Sequence, residues 1–373
     1  MKARTILMLT GCICAGLISC KKNETVYQPL KTMEVCINDV PFQTEKFLRI
    51  PYTLKLWEYE KEGLKLQKII ALDHATQVEL MTIDSTYPDL PRLYKEPLPV
   101  VSFFPFDHIS YYYLSIQLPV PLGQTPPVAV IHRFEFNDTI NNKTITHSGA
   151  LFFPRLAEVP VTISSPVKGN NWLFTNQSTN LYHFNALFFM YGRVFSFERF
   201  AFDNVQLNDE LTTWFDGDPL DNNSYFNYRD TLYAVAGGTV VLIQDGLPEN
   251  SGNAHNVTFQ SADEYAGNFL VQDIGGGHYA YYCHCAPYSF LVNMGDTLLE
   301  GDPLALLGNS GNSELPHLHF QITDGPGIWN SNGVPFVLKH YIKTAEMGYP
   351  PVFITPTPYT NAMMEWTSVI RFD

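Results

Sequence analysis

Apolar and polar residues alternate with period two along much of this chain, and that alternation most limits how it can fold. "YTLKLWEYEK" (52–61), "ISYYYLSIQLPV" (109–120) and "VAVIHRFEFND" (128–138) all carry it. Successive side chains of an extended strand point to opposite faces, so such segments predict half-buried strands and not amphipathic helices. Turn chemistry separates them: "NDTINNKT" (137–144) lies between two runs, and Pro97, Pro99, Pro105, Pro126 and Pro127 punctuate the region. Aromatic residues make up 14% and charged residues 16% of the 373 residues, which suits a folded, strand-rich chain with room for two domains.

The first twenty residues read as a segment apart. Lys2 and Arg4 precede an apolar run from Ile6 to Ile18. That run is shorter than the roughly 20 residues a membrane span needs, and it fits a secretory signal. Leu17-Ile18-Ser19-Cys20 resembles a bacterial lipobox. The resemblance implies cleavage before Cys20, lipidation of Cys20 and a membrane-anchored mature chain; several acyl chains hold where one binds only marginally. Lys21 after the cysteine points by the same resemblance to the outer membrane, on its periplasmic or surface face. Once Cys12, Cys14 and Cys20 are assigned to the signal and anchor, Cys36, Cys283 and Cys285 remain, an odd number that argues against a disulfide framework. A net charge of −14 offers no cationic surface for nucleic acid.

The chain divides, on this reading, into a signal peptide (1–19), a lipidated cysteine and tether (20–45), an Ig-like β-sandwich (46–160), a second mostly antiparallel β domain (161–345) and a tail (346–373) packed along the outside. Chemistry concentrates in the second domain. In "PHLHFQI" (316–322), His317 and His319 are two apart, so on a strand they share one face while Leu318 and Phe320 turn to a core. Gly308 and Gly311, with Asn309 and Asn312, build a tight loop before that strand. Strict alternation places His284 on the face opposite Cys283 and Cys285. H-E-x-x-H, G-x-S-x-G and G-x-x-x-x-G-K-[ST] are all absent.

From "YAVAGGTVV" through "GNFLVQDIGGGHYAYYCH" to "GDTLLEGDPLALLGNSGNSELPHLHFQI", the second domain resembles the M23 family of zinc peptidases, the LytM/lysostaphin type that acts on bacterial cell walls. The resemblance implies Zn2+ as cofactor, peptidoglycan peptides as substrate, His319 as a zinc ligand, and His284 and His317 flanking the zinc-bound water as general base and transition-state stabiliser. The family's remaining ligands are a His and, four residues later, an Asp. Asp203 in "ERFAFDNV" (198–205) is the obvious Asp, but Arg199 stands four before it, and arginine cannot ligate zinc. A branch of the family with the pattern His…Arg-Phe-Ala-x-Asp places the histidine further upstream, which here is His183. His183, Asp203 and His319 then make three ligands and leave one open position. Arg199 would pair with Asp203 and orient it, and Tyr281 or Tyr282 would line the substrate path. The alternative is a metal-free, degenerate LytM-like domain that binds peptidoglycan or regulates another hydrolase, with Arg199 as the feature in its favour. Oligomeric state is not legible.

Overall fold

The computed structural model describes residues 32–84, 111–175, 183–190 and 193–373. The signal segment, Cys20, Pro97, Pro99, Pro105 and His108 lie outside them. Among the described residues no helix is long and apolar enough to cross a membrane. The fold is mostly β, in antiparallel sheets.

Among the described residues, two four-stranded sheets share one core in the N-terminal half. In the first, Tyr111–Pro121 pairs along the whole of Phe47–Trp57, and Met33–Asn38 and Phe42–Gln43 pair on its other edge. The second runs Glu79–Ile83, Leu64–Asp73, Val130–Asp138, Lys143–Phe152. Ile50, Tyr52, Leu54 and Leu56, each two apart, meet Ile69, Ala71, Phe134 and Phe136 between the sheets. The reverse face of the first sheet is also covered, because Thr53 and Ser115 there are buried. That second buried face looks toward the C-terminal half.

The C-terminal half is built on an eleven-stranded sheet. Along it run Thr297–Leu298, Gly238–Gln244, Asn268–Gly275, His278–Cys285, Leu318–Thr323, Phe202–Gln206, Gly169–Thr175, Ser368–Phe372, Phe336–Glu346 and Val352–Ala362, with Val161–Ile163 added parallel to Phe336–Glu346. The strands His278–Cys285, Leu318–Thr323 and Phe202–Gln206 are neighbours, so three segments far apart in sequence stand side by side. Their core face packs Tyr282, Leu318, Phe320 and Phe202 against Trp172, Phe336 and Ile370.

Both ends differ from the sequence reading. The span taken as a tether supplies two strands, and Phe42 sits in the core of the C-terminal half, its ring 5.8 Å from that of Phe200. The span taken as an external tail supplies Ser368–Phe372, an interior strand, and Val352–Ala362 at the sheet edge. Pro356 and Pro358 suit that edge, where a missing N–H leaves no ladder bond unmade.

Candidate metal centre

Strand register brings the first two groups together. Asp203 lies directly opposite His319 across the antiparallel pair, and Cys283 lies opposite His319 on the other side. His319 Nδ1 is 2.9 Å from Asp203 Oδ1. His183 comes from a single 3-10 turn, His183–Asn185, and its Nε2 is 3.6 Å from Asp203 Oδ2. All three residues are buried, and their ligand atoms lie within 4.8 Å of one another. His317, just before the strand, places Nε2 3.5 Å from Asp203 Oδ1. His317 and His319 do share a face, while Leu318 and Phe320 enter the core.

His284 reaches the same groove by a different route. Along the pair Asn268–Gly275 and His278–Cys285, Asn268 opposes Cys285 and Leu270 opposes Tyr282, so one extra residue is accommodated between them. This β-bulge puts His284 at φ +62°. Alternation fails there, and Cys283 and His284 both line the groove, contrary to the opposite faces expected for them. The ring of His284 stands 4.8 Å from that of His317.

The hydrogen bonds assign the protons. His284 Nδ1 is 2.8 Å from the Ser310 carbonyl, and His317 Nδ1 is 2.8 Å from the Leu315 carbonyl. A carbonyl only accepts, so each Nδ1 carries a hydrogen and each Nε2 is the ring atom left to face the groove. Burial, with the neighbouring His317 and His319, pushes His284 well below its ordinary value, so it stays neutral. Burial also lowers His183, against the opposing pull of Asp203. For Asp203, burial alone would raise the pKa, but the surrounding imidazoles of His183, His317 and His319 hold it well below the usual carboxylate range.

His319 is the telling case. Gln321 donates its amide N–H to the Phe197 carbonyl at 3.1 Å, which turns its Oε1 to His319 Nε2 at 2.8 Å. With Asp203 on Nδ1, both ring nitrogens face acceptors, and the ring holds two protons. Burial works against that charge, yet the Asp203 hydrogen bond and charge outweigh it and push the pKa up to about 9. The Nδ1 proton thus stands between a ring nitrogen and a carboxylate, with a second imidazole nearby. A divalent cation satisfies the same three groups, and two nitrogens with one carboxylate oxygen is a donor set zinc accepts. The residues fit the ion. Gln321 was not anticipated, although it follows His319 by two and so continues the same strand face.

Arg199 does not take the place expected for it. Its guanidinium is fully buried and turned away from the centre: Nε donates to Asp39 Oδ2 at 2.7 Å and Nη1 to Ser115 Oγ at 2.9 Å. Its ion pair is with Asp39, not Asp203. A buried guanidinium needs acceptors, and the N-terminal half supplies two of them, while Nη2 has none among the described residues. Tyr281 and Tyr282 also differ from expectation, since both are fully buried. The groove, of about 500 Å3, takes its aromatic wall from Phe197, Trp214, Tyr265 and Trp329, and Glu198 lines it too. These aromatics lie off the strands that carry the histidines, and nothing in their spacing marks them.

The loop before His317 is held from outside. Asn250 donates its amide to the carbonyls of Asn309, Gly311 and Ser313, and Asn309 donates to Asn222 Oδ1 and the Gly252 carbonyl. This lattice holds the loop whose Ser310 and Leu315 carbonyls accept from the Nδ1 atoms of His284 and His317.

Fold and site together describe a β-sheet protein with a buried His–His–Asp group suited to a divalent ion and two further imidazoles beside it. Residues 226–331 match the model of Peptidase family M23. The matched span includes His284, His317 and His319 and stops short of His183, Arg199 and Asp203. Among solved structures, the catalytic domain of the antimicrobial peptidase lysostaphin from Staphylococcus simulans is 21% identical over 32% of this chain and 85% of its own, with a TM-score of 0.22. A catalytic-domain variant of the prophage-encoded M23 protein EnpA from Enterococcus faecalis is 18% identical over 33% and 85%, with a TM-score of 0.22. A zinc-containing peptidase from Vibrio cholerae is 11% identical over 80% and 83%, with a TM-score of 0.20. TM-scores this low leave the case to the family match and to the site itself.

Proposed function

We propose that this protein is a zinc metalloendopeptidase that hydrolyses peptide bonds of bacterial peptidoglycan. The observation that carries the reading is the convergence of His183, Asp203 and His319 on one point, beside two imidazoles whose Nδ1 atoms are held by backbone carbonyls. His183, Asp203 and His319 would hold the ion. When bound, zinc supplies a Lewis acid for the scissile carbonyl and lowers the pKa of water toward about 7. His284 Nε2 is the site that takes the proton of the attacking water and returns it to the leaving amine. His317 Nε2, 3.5 Å from Asp203 Oδ1, would steady the charge that develops on the carbonyl oxygen in the form that carries a proton on that nitrogen. The aromatic wall of the groove orients an extended peptide across the site.

Arg199 was the feature favouring a metal-free relative. Its attachment to Asp39 removes the cation from the metal position and with it that argument. The lipid anchor at Cys20 belongs to the same proposal and would hold the enzyme at the membrane, facing its insoluble substrate.

The test is metal analysis of the purified chain together with digestion of purified sacculi, followed by mass analysis of released fragments. One zinc per chain is expected, with cleavage within stem or bridge peptides. His183→Ala and Asp203→Ala should lose both zinc and cleavage, while His284→Ala keeps zinc and loses at least roughly 100-fold in rate. Full zinc content in His183→Ala would remove that residue from the ligand set, and sacculi left intact by a zinc-loaded parent would remove the substrate assignment.

A further inference from the structure

Arg199 joins two halves of the molecule at one point. In the N-terminal half it contacts Asp39, just after the strand Met33–Asn38, and Ser115, within Tyr111–Pro121. In the C-terminal half its Nη1 lies 3.4 Å from the Phe184 carbonyl, and its guanidinium stacks 4.0 Å from the centre of the Phe184 ring. Phe184 is the residue after His183, in the same three-residue turn. So short a 3-10 turn has little stability of its own and takes its position from what packs on it. The segment that follows is held by the same half of the molecule, since Leu187 and Phe189 pack on Tyr113 of the strand that carries Ser115. The other two residues of the centre need no such help. Asp203 and His319 are fixed opposite each other by the sheet ladder.

We propose that the N-terminal sandwich completes the metal centre: Asp39 and Ser115 fix Arg199, Arg199 fixes Phe184, and this chain of contacts sets His183 toward Asp203 and His319. Arg199 is a positioning residue, and its place in the sequence near Asp203 reflects this role. The proposal rests on reading His183, Asp203 and His319 as metal ligands.

The experiment uses the full chain and two readouts: zinc affinity by competition with a chromophoric chelator, and the visible absorption of the cobalt(II)-loaded protein, which reports ligand number and geometry. Unfolding midpoints are measured on the same samples. Arg199→Met should weaken zinc binding by roughly 10- to 100-fold and move the cobalt bands toward those of His183→Ala. Ser115→Ala, which removes a single acceptor, should weaken it by a few-fold, on the order of 3. A folded Arg199→Met chain with the parent's affinity and cobalt spectrum overturns the proposal. If Arg199→Met does not fold, Ser115→Ala decides, and parental affinity there overturns it. His319→Ala is the control for the underlying reading: if that variant binds zinc as the parent does, the metal centre itself has been misassigned, whatever the Arg199 variants show.

Discussion

His284 holds a backbone φ of +62°, a region that costs a residue with a Cβ about 1–2 kcal/mol. The bulge that imposes it also re-aims the ring into the groove, and strained positions of this kind collect at functional sites. His132 shows the opposite use of the same side chain. It is fully buried in the sandwich, with Tyr52 Oη at 2.8 Å and the Ala150 carbonyl at 3.0 Å. Burial pushes its pKa from 6.5 down to about 4. The unfolded chain therefore takes up this proton as pH falls through 6.5, while the folded chain refuses it until about pH 4. Stability is fully present above 6.5, falls across that window and flattens below it, for a loss approaching about 3 kcal/mol. Urea unfolding at pH 7 and pH 4.5 should show the loss in the parent and a smaller one in His132→Gln. Equal losses in the two would assign the slope to other groups.

At the scale of elements, the loop before His317 carries a strict local demand. Gly311 has φ +75°, and a Cβ there would lie 2.3 Å from the backbone nitrogen of Gly267. Gly311→Ala should cost about 2 kcal/mol or more, combining backbone strain with displacement of the start of Asn268–Gly275. Gly123, at φ +89° with open space around it, isolates the strain alone, and Gly123→Ala should cost about 1–2 kcal/mol. Denaturant midpoints of the two variants check this, and equal losses would mean the close approach relaxes freely. The "GNSGN" signal and the His317–His319 pair were readable because both are local geometry. The bulge at His284 was not, since it depends on how two strands register against each other.

At the scale of the whole molecule, buried charges tie the two halves. Glu45 is hydrogen bonded to Lys343 at 2.6 Å and to Ser368 at 2.6 Å, and Lys343 is only 2% exposed and also bridges to Glu346. Removing Glu45 leaves the lysine with one carboxylate. Glu45→Gln should lose about 3 kcal/mol, and Glu45→Gln with Lys343→Met should lose less than the sum of the single changes. Calorimetry or chemical denaturation of the four chains measures the coupling, and strict additivity would show that the pair is not what joins the halves. Phe42, Glu45 and Arg199 together explain why the boundaries at 45 and 345 do not separate independent bodies.

The period-two alternation determined that this chain is built from strands, and the spacing of His317 and His319 determined that two imidazoles share one face. Both follow from the fixed geometry of an extended backbone, which needs no partner. Only the tertiary structure decided where Arg199 finds its acceptors, which way His284 turns and whether the last strand lies inside or outside. Those outcomes depend on the packing of segments that the sequence keeps far apart, such as residue 39 against residue 199.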